Sequence, residues 1–179
     1  MLVFWRKGFV ATSMNDLCEA MGIRSPSLYA AFGSKENLYA EAIDRYDAAA
    51  DALIWNHIDD GPTVRASMQK LLMAAAKVLP GGEASPSGCM VVLATGGEYP
   101  GAAPDTAKAS RMASLDKLRA GLKRAVAAGE LPRSANVERL ARFYMSMVQG
   151  MAIQGRDGAT QAEMEGMART AMAAWPVTG

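Results

Sequence analysis

The stretch from Ser13 to Phe32, SMNDLCEAMGIRSPSLYAAF, contains two short helical patterns on either side of a glycine. Ser13 is a residue type that caps helix N-termini, and Gly22 stands where a left-handed residue would end the first helix. Ser25 is expected to cap the second helix, with Pro26 in its first position, where a missing N–H costs nothing. Two short helices joined by such a tight turn form a helix-turn-helix.

The second helix of this motif is predicted to present hydrogen-bond donors to solvent. Ile23 and Leu28 supply its apolar contacts with the core, and four polar side chains remain outside: Arg24, Ser25, Ser27 and Tyr29. Side chains of these types bond base edges and phosphates when a helix lies in the major groove of DNA. A single serine here is usually only a cap, so the prediction of a DNA-reading surface depends on the joint arrangement.

Three segments of the chain resemble the TetR family of regulators: GFVATSM from Gly8 to Met14, MGI from Met21 to Ile23, and SLYAAFGSKENL from Ser27 to Leu38. The resemblance implies a role for each residue that matches the family's pattern. It implies phosphate contacts for one set, Thr12, Ser13, Tyr29 and Lys35, and base-facing positions on the recognition helix for another, Arg24, Ser25 and Ser27. Lys35 would begin a helix, where the helix dipole already favours an anion.

The composition predicts helix along nearly the whole chain. Half of the 179 residues are hydrophobic, while aromatic residues make up only 7% and β-branched residues seldom follow one another. We therefore expect an all-α protein of about nine helices. Its predicted parts are a helix-turn-helix DNA-binding domain at residues 1–46 and an effector-binding and dimerisation domain at residues 47–179. Because only seven residues precede Gly8, the first helix is expected to be shorter than the family's.

The resemblance further implies a dimer that binds a palindromic operator and is released by a small, largely apolar effector. The residues expected to line the effector pocket are apolar side chains of the middle helices and the eighth: Trp55, Met68, Leu72, Met90, Leu93, Phe143 and Met147. The residues expected at the dimer interface follow one stripe of the last two helices: Met151, Gly155, Met164, Ala168, Ala171 and Trp175. The implied mode of action is repression.

Other classes of protein find little support in the sequence. The chain has two cysteines and one histidine, and no paired carboxylates or phosphate-binding loop, so we expect no catalytic site, no metal and no cofactor. No apolar run approaches the roughly 20 residues of a membrane span, and no signal peptide is evident, which favours the cytoplasm. The formal net charge of +1 gives no overall attraction to nucleic acid.

Two alternatives remain open from the sequence alone. The near-neutral charge and short N-terminal helix are compatible with an interaction module that has lost DNA binding. A redox-responsive regulator acting through Cys89 would need a lowered thiol pKa and exposure, whereas the neighbours Met90 and Val91 favour a buried thiol.

Overall fold

Helices account for nearly all of the described chain. The structure, a computed structural model, describes residues 1–83, 85–94 and 103–176, without the side chains of residues 103 and 104. It contains nine α-helices and one short 3-10 helix, Trp55–Asp59, and no strand among the described residues. The α-helices are α1 Leu2–Ala11, α2 Met14–Met21, α3 Ser25–Phe32, α4 Lys35–Leu53, α5 Val64–Val78, α6 Met90–Leu93, α7 Ala103–Ala127, α8 Val137–Arg156 and α9 Gln161–Ala173. The predicted all-α class is confirmed.

Local capping sets most of the helix starts. Ser13 and Asp16 form a reciprocal capping box at the start of α2, and Ser34 Oγ accepts from Asn37 N at the start of α4. The prediction for α3 was wrong by one residue. Arg24 is its N-cap, since its extended backbone places its carbonyl where two amides of the first turn donate to it. Ser25 is therefore the first helical residue, and its hydroxyl caps nothing.

The first helix is interrupted at Gly8. This glycine has φ 76° and ψ 168°, a backbone conformation that residues with a Cβ atom rarely adopt. The chain therefore turns sharply before Phe9. Thr12 Oγ1 donates to the carbonyl oxygen of Gly8 at 2.6 Å. Phe9 then packs 5.0 Å from Tyr39 on α4, ring centroid to ring centroid. The turn thus directs the chain into α2 while keeping α1 against the core.

The N-terminal part, residues 1–46, will be called the head, and residues 47–176 the body. Phe4, Leu17, Leu28 and Tyr39 form the centre of the head, each at most 3% exposed. The predicted domain boundary after Tyr46 falls inside α4, which continues unbroken to Leu53. Head and body are consequently joined by a continuous helix.

In the body, α5 packs on α9 and α7 packs on α8, while the short α6 contacts α1, α4, α7 and α8. The closest approach is at Gly155 of α8, where an added Cβ would lie 2.5 Å from the carbonyl oxygen of Leu79. At the opposite end of α5, the Glu130 carboxylate accepts from the backbone N–H of Val64 and of Arg65, at 3.0 and 3.1 Å. Glu130 therefore caps a helix that begins 66 residues earlier in the chain.

The residues predicted for the dimer interface lie inside a single chain. All six are buried: Met151, Gly155, Met164, Ala168, Ala171 and Trp175. The five that are not glycine are at most 5% exposed. They are the inward stripe of α8 and α9, which the packing of α9 on α5 covers. The interface prediction chose the wrong face, because α8 is apolar nearly all round and its pattern alone does not identify the inner side.

Candidate nucleic-acid interface and the neighbouring cavity

The recognition helix α3 exposes the donors predicted from its sequence. Leu28 is completely buried and holds the helix against α2 and α4. Arg24, Ser25 and Ser27 are exposed, and Tyr29 has 49% of its surface accessible. All four lie within the six residues from Arg24 to Tyr29, in the N-terminal part of the helix, which is the part of a recognition helix that contacts base edges. The structure thus brings these four together on one surface.

Ser13 and Lys35 flank this surface. Ser13 Oγ accepts from Asp16 N at 3.1 Å, and its hydroxyl also bonds the Asp16 carboxylate, so Ser13 caps α2 at the edge of this surface. Lys35 is the first residue of α4, and its Nζ lies 4.4 Å from the centroid of the Phe9 ring. Partial burial lowers the pKa of this ammonium group, while the ring face stabilises its charge. Both groups stand at helix N-termini, where backbone dipoles favour a phosphate.

Thr12 departs from its predicted role. Its side chain is 0% exposed and its hydroxyl is used in the bond to the Gly8 carbonyl. A buried donor already satisfied by the backbone does not reach a phosphate. Thr12 therefore supports the turn before α2, and we remove its side chain from the contact set.

The acid next to this surface is neutralised locally. Asp16 accepts from Lys7 Nζ at 2.6 Å and from Ser13 N at 2.8 Å. These bonds lower the pKa of Asp16 to about 2, and the bond from Lys7 has the largest effect. The carboxylate that caps α2 thus carries a paired charge, which limits its repulsion of an approaching phosphate.

A cavity lies in the body between α4, α6, α7 and α8. Its volume is about 30 Å³, room for a water molecule or two. Its wall is largely apolar, and six polar or charged residues contribute a smaller share: Tyr46, Asp47, Ser110, Arg111, Ser114 and Gln149. This cavity will be called the body cavity.

Of the seven predicted pocket residues, only Trp55 lines the body cavity. Met68 and Leu72 are completely buried in α5, and Phe143 and Met147 are half-buried on another face of α8. The remaining two, Met90 and Leu93, line a different cavity, next to α1. The structure therefore does not bring the seven residues together in one cavity, because apolar spacing along a helix does not identify which neighbour the stripe faces.

The body cavity contains a half-buried carboxylate. Ser110 Oγ donates to Asp47 Oδ1 at 2.7 Å, and burial raises the pKa of Asp47 above its ordinary value. Arg111 Nη1 donates to the carbonyl oxygen of Val91 in α6 at 2.6 Å. One helix turn along α4, Asp51 forms an ion pair with Lys117 of α7. Polar bonds therefore hold α7 to both α4 and α6 around the cavity.

Cys89 lies at the wall of this cavity beside Tyr46. A hydrogen bond links the two side chains, and burial raises the pKa of the Cys89 thiol despite that bond. Burial also raises the pKa of Tyr46 far above its usual range. Both groups are consequently neutral at physiological pH, and a protonated thiol is the unreactive form. The redox alternative for Cys89 loses its main requirement.

Two serines on the inward stripe of α7 indicate the cavity in the sequence. Ser110 and Ser114 occupy the inward stripe of α7 one turn apart, at spacing otherwise filled by Ala107, Leu118 and Leu122. Polar residues at core positions indicate a polar partner or a lined cavity. Asp47 is the partner, but its identity follows only from the packing of α4 on α7.

Within the described ranges, no group of three or more His, Cys, Asp or Glu side chains is placed to hold a metal ion. No helix in the part of the chain that the structure describes is long and apolar enough to cross a bilayer.

Comparison with known proteins gives consistent results over the whole chain. The sequence profile described as bacterial regulatory proteins, tetR family, matches residues 1–42. The HTH-type transcriptional repressor ComR of Escherichia coli (strain K12) is 31% identical over 179 residues, which cover 98% of this chain and 85% of that protein.

Solved structures extend the similarity to three dimensions. A cysteine mutant of the TetR family transcriptional regulator CifR, complexed with 26bp double-strand operator DNA, matches with a TM-score of 0.92 and 34% identity, over 98% of this chain and 92% of that one. A TetR family regulator from Agrobacterium tumefaciens shares the fold with a TM-score of 0.81 at 19% identity, over 98% and 93% of the two chains. The chain therefore belongs to the TetR family of bacterial regulatory proteins.

Proposed function

We propose that this protein is a transcriptional repressor that binds a palindromic operator as a homodimer and releases it when a small effector binds. The observation that carries the proposal is the row of exposed donors on α3, anchored by the buried Leu28. Its relatives support it, since ComR is named a repressor and the CifR mutant is complexed with operator DNA. The proposed function is non-enzymatic and is exercised in the cytoplasm.

The donors divide into two groups. Ser13, Tyr29 and Lys35 are proposed to bond phosphates and so fix the register of the head on the duplex. Arg24, Ser25 and Ser27 are proposed to face base edges in the major groove, where arginine pairs best with guanine. Since so few side chains would read bases, DNA shape is expected to contribute to specificity.

The dimer is proposed to form through the outward faces of α8 and α9. Leu140, Phe143, Met147 and Gly150 follow one stripe of α8 and are only half-buried within the chain, as is Met167 on α9. A two-fold pairing of these stripes would leave the two heads free to bind half-sites about 34 Å apart. The Phe143→Glu variant should then run as a monomer in size-exclusion chromatography with light scattering, whereas Ile153→Glu, on another exposed side of α8, should remain dimeric.

The effector is proposed to bind in the body cavity and act through α6. In its present form the cavity is too small for an effector, so binding must separate the helices around it. Helix α6 lines the cavity and also contacts α1, which gives the body a second route to the head besides the continuous helix α4. An effector that fills this wall needs hydrogen-bonding groups as well as apolar surface.

In vitro selection of random duplexes by the wild-type dimer tests the central proposal. An enriched palindrome with half-sites one helical turn apart, or a multiple, supports operator binding. Failure to enrich any sequence at low salt would contradict it, and would favour the alternative of an interaction module without DNA binding.

Two substitutions test the division of the donors on the selected operator. Arg24→Gln should weaken binding about tenfold and relax the preference at one base pair. Lys35→Gln should weaken binding to all sequences alike and lower the slope of log affinity against log salt by about one. Arg169→Gln on α9 removes an exposed arginine far from α3 and should leave both the affinity and the slope unchanged. Unaltered binding by both head variants would contradict the assignment.

A further inference from the structure

A second cavity, the junction cleft, lies where the head meets the body. It is formed by α1, Tyr39 of α4, α6 and the end of α8, and it has a volume of about 250 Å³. None of the described residues lines both the junction cleft and the body cavity. The cleft is therefore a separate site, with room for one aromatic ring and a short chain.

The charged residues that line the junction cleft are all basic. They are Arg6, Lys7 and Arg156, and no carboxylate is among the described residues of the lining. Lys7 is paired with Asp16, but the ion pairs between described residues include neither Arg6 nor Arg156. Arg156 Nη2 donates to the carbonyl oxygen of Arg6 at 3.0 Å, which brings one guanidinium to the cleft and leaves its other donors for a ligand.

The remaining walls are aromatic and aliphatic. Phe4, Trp5 and Tyr39 line the cleft on the head side, and Met90 and Leu93 line it on the side of α6. A ligand suited to this lining places a ring or short alkyl group between these walls and an anionic group at the arginines. A carboxylate fits because its two oxygens match the two parallel N–H groups of a guanidinium.

We propose that the junction cleft binds a small aromatic or aliphatic carboxylate, held by Arg156 and Arg6. Such a ligand contacts α1 of the head together with α6 and α8 of the body, so it connects the two parts at the place where an effector signal would pass. The proposal stands independently of the proposed function, because the site is defined by this lining and not by DNA binding.

Nuclear magnetic resonance of the DNA-free protein tests the proposal, with phenylacetate as the probe. The assigned Trp5 indole and Met90 methyl signals are the reporters, and both residues line the cleft. Phenylacetate should shift both signals with a Kd on the order of 1 mM. Phenylacetamide, which has the same shape without the charge, should bind at least about tenfold more weakly.

Arg156→Gln should weaken phenylacetate binding about tenfold, and Arg6→Gln should weaken it less. Arg6 is exposed, so its variant keeps the test valid even if Arg156→Gln fails to fold. Arg169→Gln on α9 is the matched control and should bind as the wild type does. Arg111→Gln, in the body cavity, should also leave the affinity unchanged.

Three results would overturn the proposal. The first is a Trp5 signal that does not move at about 10 mM phenylacetate. The second is equal binding of phenylacetamide, which would show that the charge is not recognised. The third is loss of phenylacetate binding in Arg111→Gln while Arg6→Gln and Arg156→Gln both retain it. That result would place the ligand in the body cavity. Because no DNA is present, none of these results bears on operator binding.

Discussion

The head and the body satisfy their polar groups over very different distances along the chain. In the head, the bonded pairs Ser13–Asp16 and Ser34–Asn37 are three residues apart, and Thr12 and Gly8 are four apart. In the body, the bonds that join helices span 63 residues from Asp47 to Ser110 and 66 from Asp51 to Lys117. The body has local caps too, at Thr63, Asn136 and Thr160, but it depends in addition on long-range contacts that only tertiary packing creates.

This difference shows why one part of a regulator can be recognised from its sequence while the other cannot. The geometry that exposes the donors of α3 follows from caps and turns within a few residues. The body cavity forms only after four helices have packed, and its polar side chains come from three of them, α4, α7 and α8.

The largest effect is expected where two body helices approach most closely. Gly155→Ala should lower the free energy of unfolding by about 1–3 kcal/mol, because the new methyl group meets the rigid Leu79 carbonyl. Gly166→Ala on α9 is the control, since its Cβ meets nothing within 4 Å in the chain. It should raise the stability by about 0.5–1 kcal/mol. Urea unfolding at constant protein concentration measures both, and an unchanged Gly155→Ala protein would contradict the close approach.

The next effect separates a structural role from a DNA contact in the head. Thr12→Val keeps the shape of the side chain but removes the donor to the Gly8 carbonyl, and should cost about 1–2 kcal/mol of stability. Operator affinity of the folded variant should stay the same, because the hydroxyl is buried. Thr12→Ser retains the hydroxyl and should recover most of the lost hydrogen bond. A normal stability with a weakened affinity would restore Thr12 to the contact set.

A comparison of two caps tests whether separation along the chain affects their strength. Ser34→Ala removes a local cap of α4, and Glu130→Gln weakens the distant cap of α5. Each should lower the stability by about 1 kcal/mol, since the final geometry alone determines the energy of a cap. The two should differ in kinetics. Local contacts form early, so we expect Ser34→Ala to slow folding and Glu130→Gln mainly to speed unfolding, as stopped-flow measurements would show.

The smallest effect concerns pH and has opposite signs in the two parts. The pKa of Asp16 is lowered to about 2, so its ionised form stabilises the head above pH 3.8 and this contribution disappears as the pH falls towards 2. Burial raises the pKa of Asp47, so its charge opposes folding above pH 3.8. Asp16→Asn should therefore be less stable than the wild type at pH 7, and Asp47→Asn more stable.

Both differences should shrink as the solution is acidified, Asp47→Asn converging near pH 3.8 and Asp16→Asn nearer pH 2. Thermal unfolding across this range would measure them. If both variants changed the stability in the same direction at pH 7, the proposed contrast between the locally paired Asp16 and the partly buried Asp47 would be contradicted.

Much of the fold was predictable because its signals are local. The all-α class, the capping residue Ser13 and the turn at Gly22 all followed from neighbouring residue types. Ser25 was misplaced by one position because a serine one residue inside a helix resembles a capping serine in sequence.

The side of a helix that faces its neighbours was harder to predict. Helix α8 carries apolar residues both on the buried stripe with Met151 and on the outward stripe with Phe143, so its periodicity does not distinguish them. On α8, the predicted interface residues Met151 and Gly155 lie on the buried stripe, while the predicted pocket residues Phe143 and Met147 lie on the outward one. Thr12 escaped recognition as a core residue because threonine is usually exposed, and its burial depends on the turn at Gly8.

The distant cap on α5 has a consequence for the order of synthesis. Val64 and Arg65 leave the ribosome long before Glu130 does, so the first turn of α5 emerges without its capping carboxylate. A nascent chain that stops before residue 130 contains every residue of the head, but the start of its α5 is capped by Thr63 alone. The body therefore completes its folding only late in translation, and chains released early would expose an unfinished helix to proteases while their DNA-binding part is already formed.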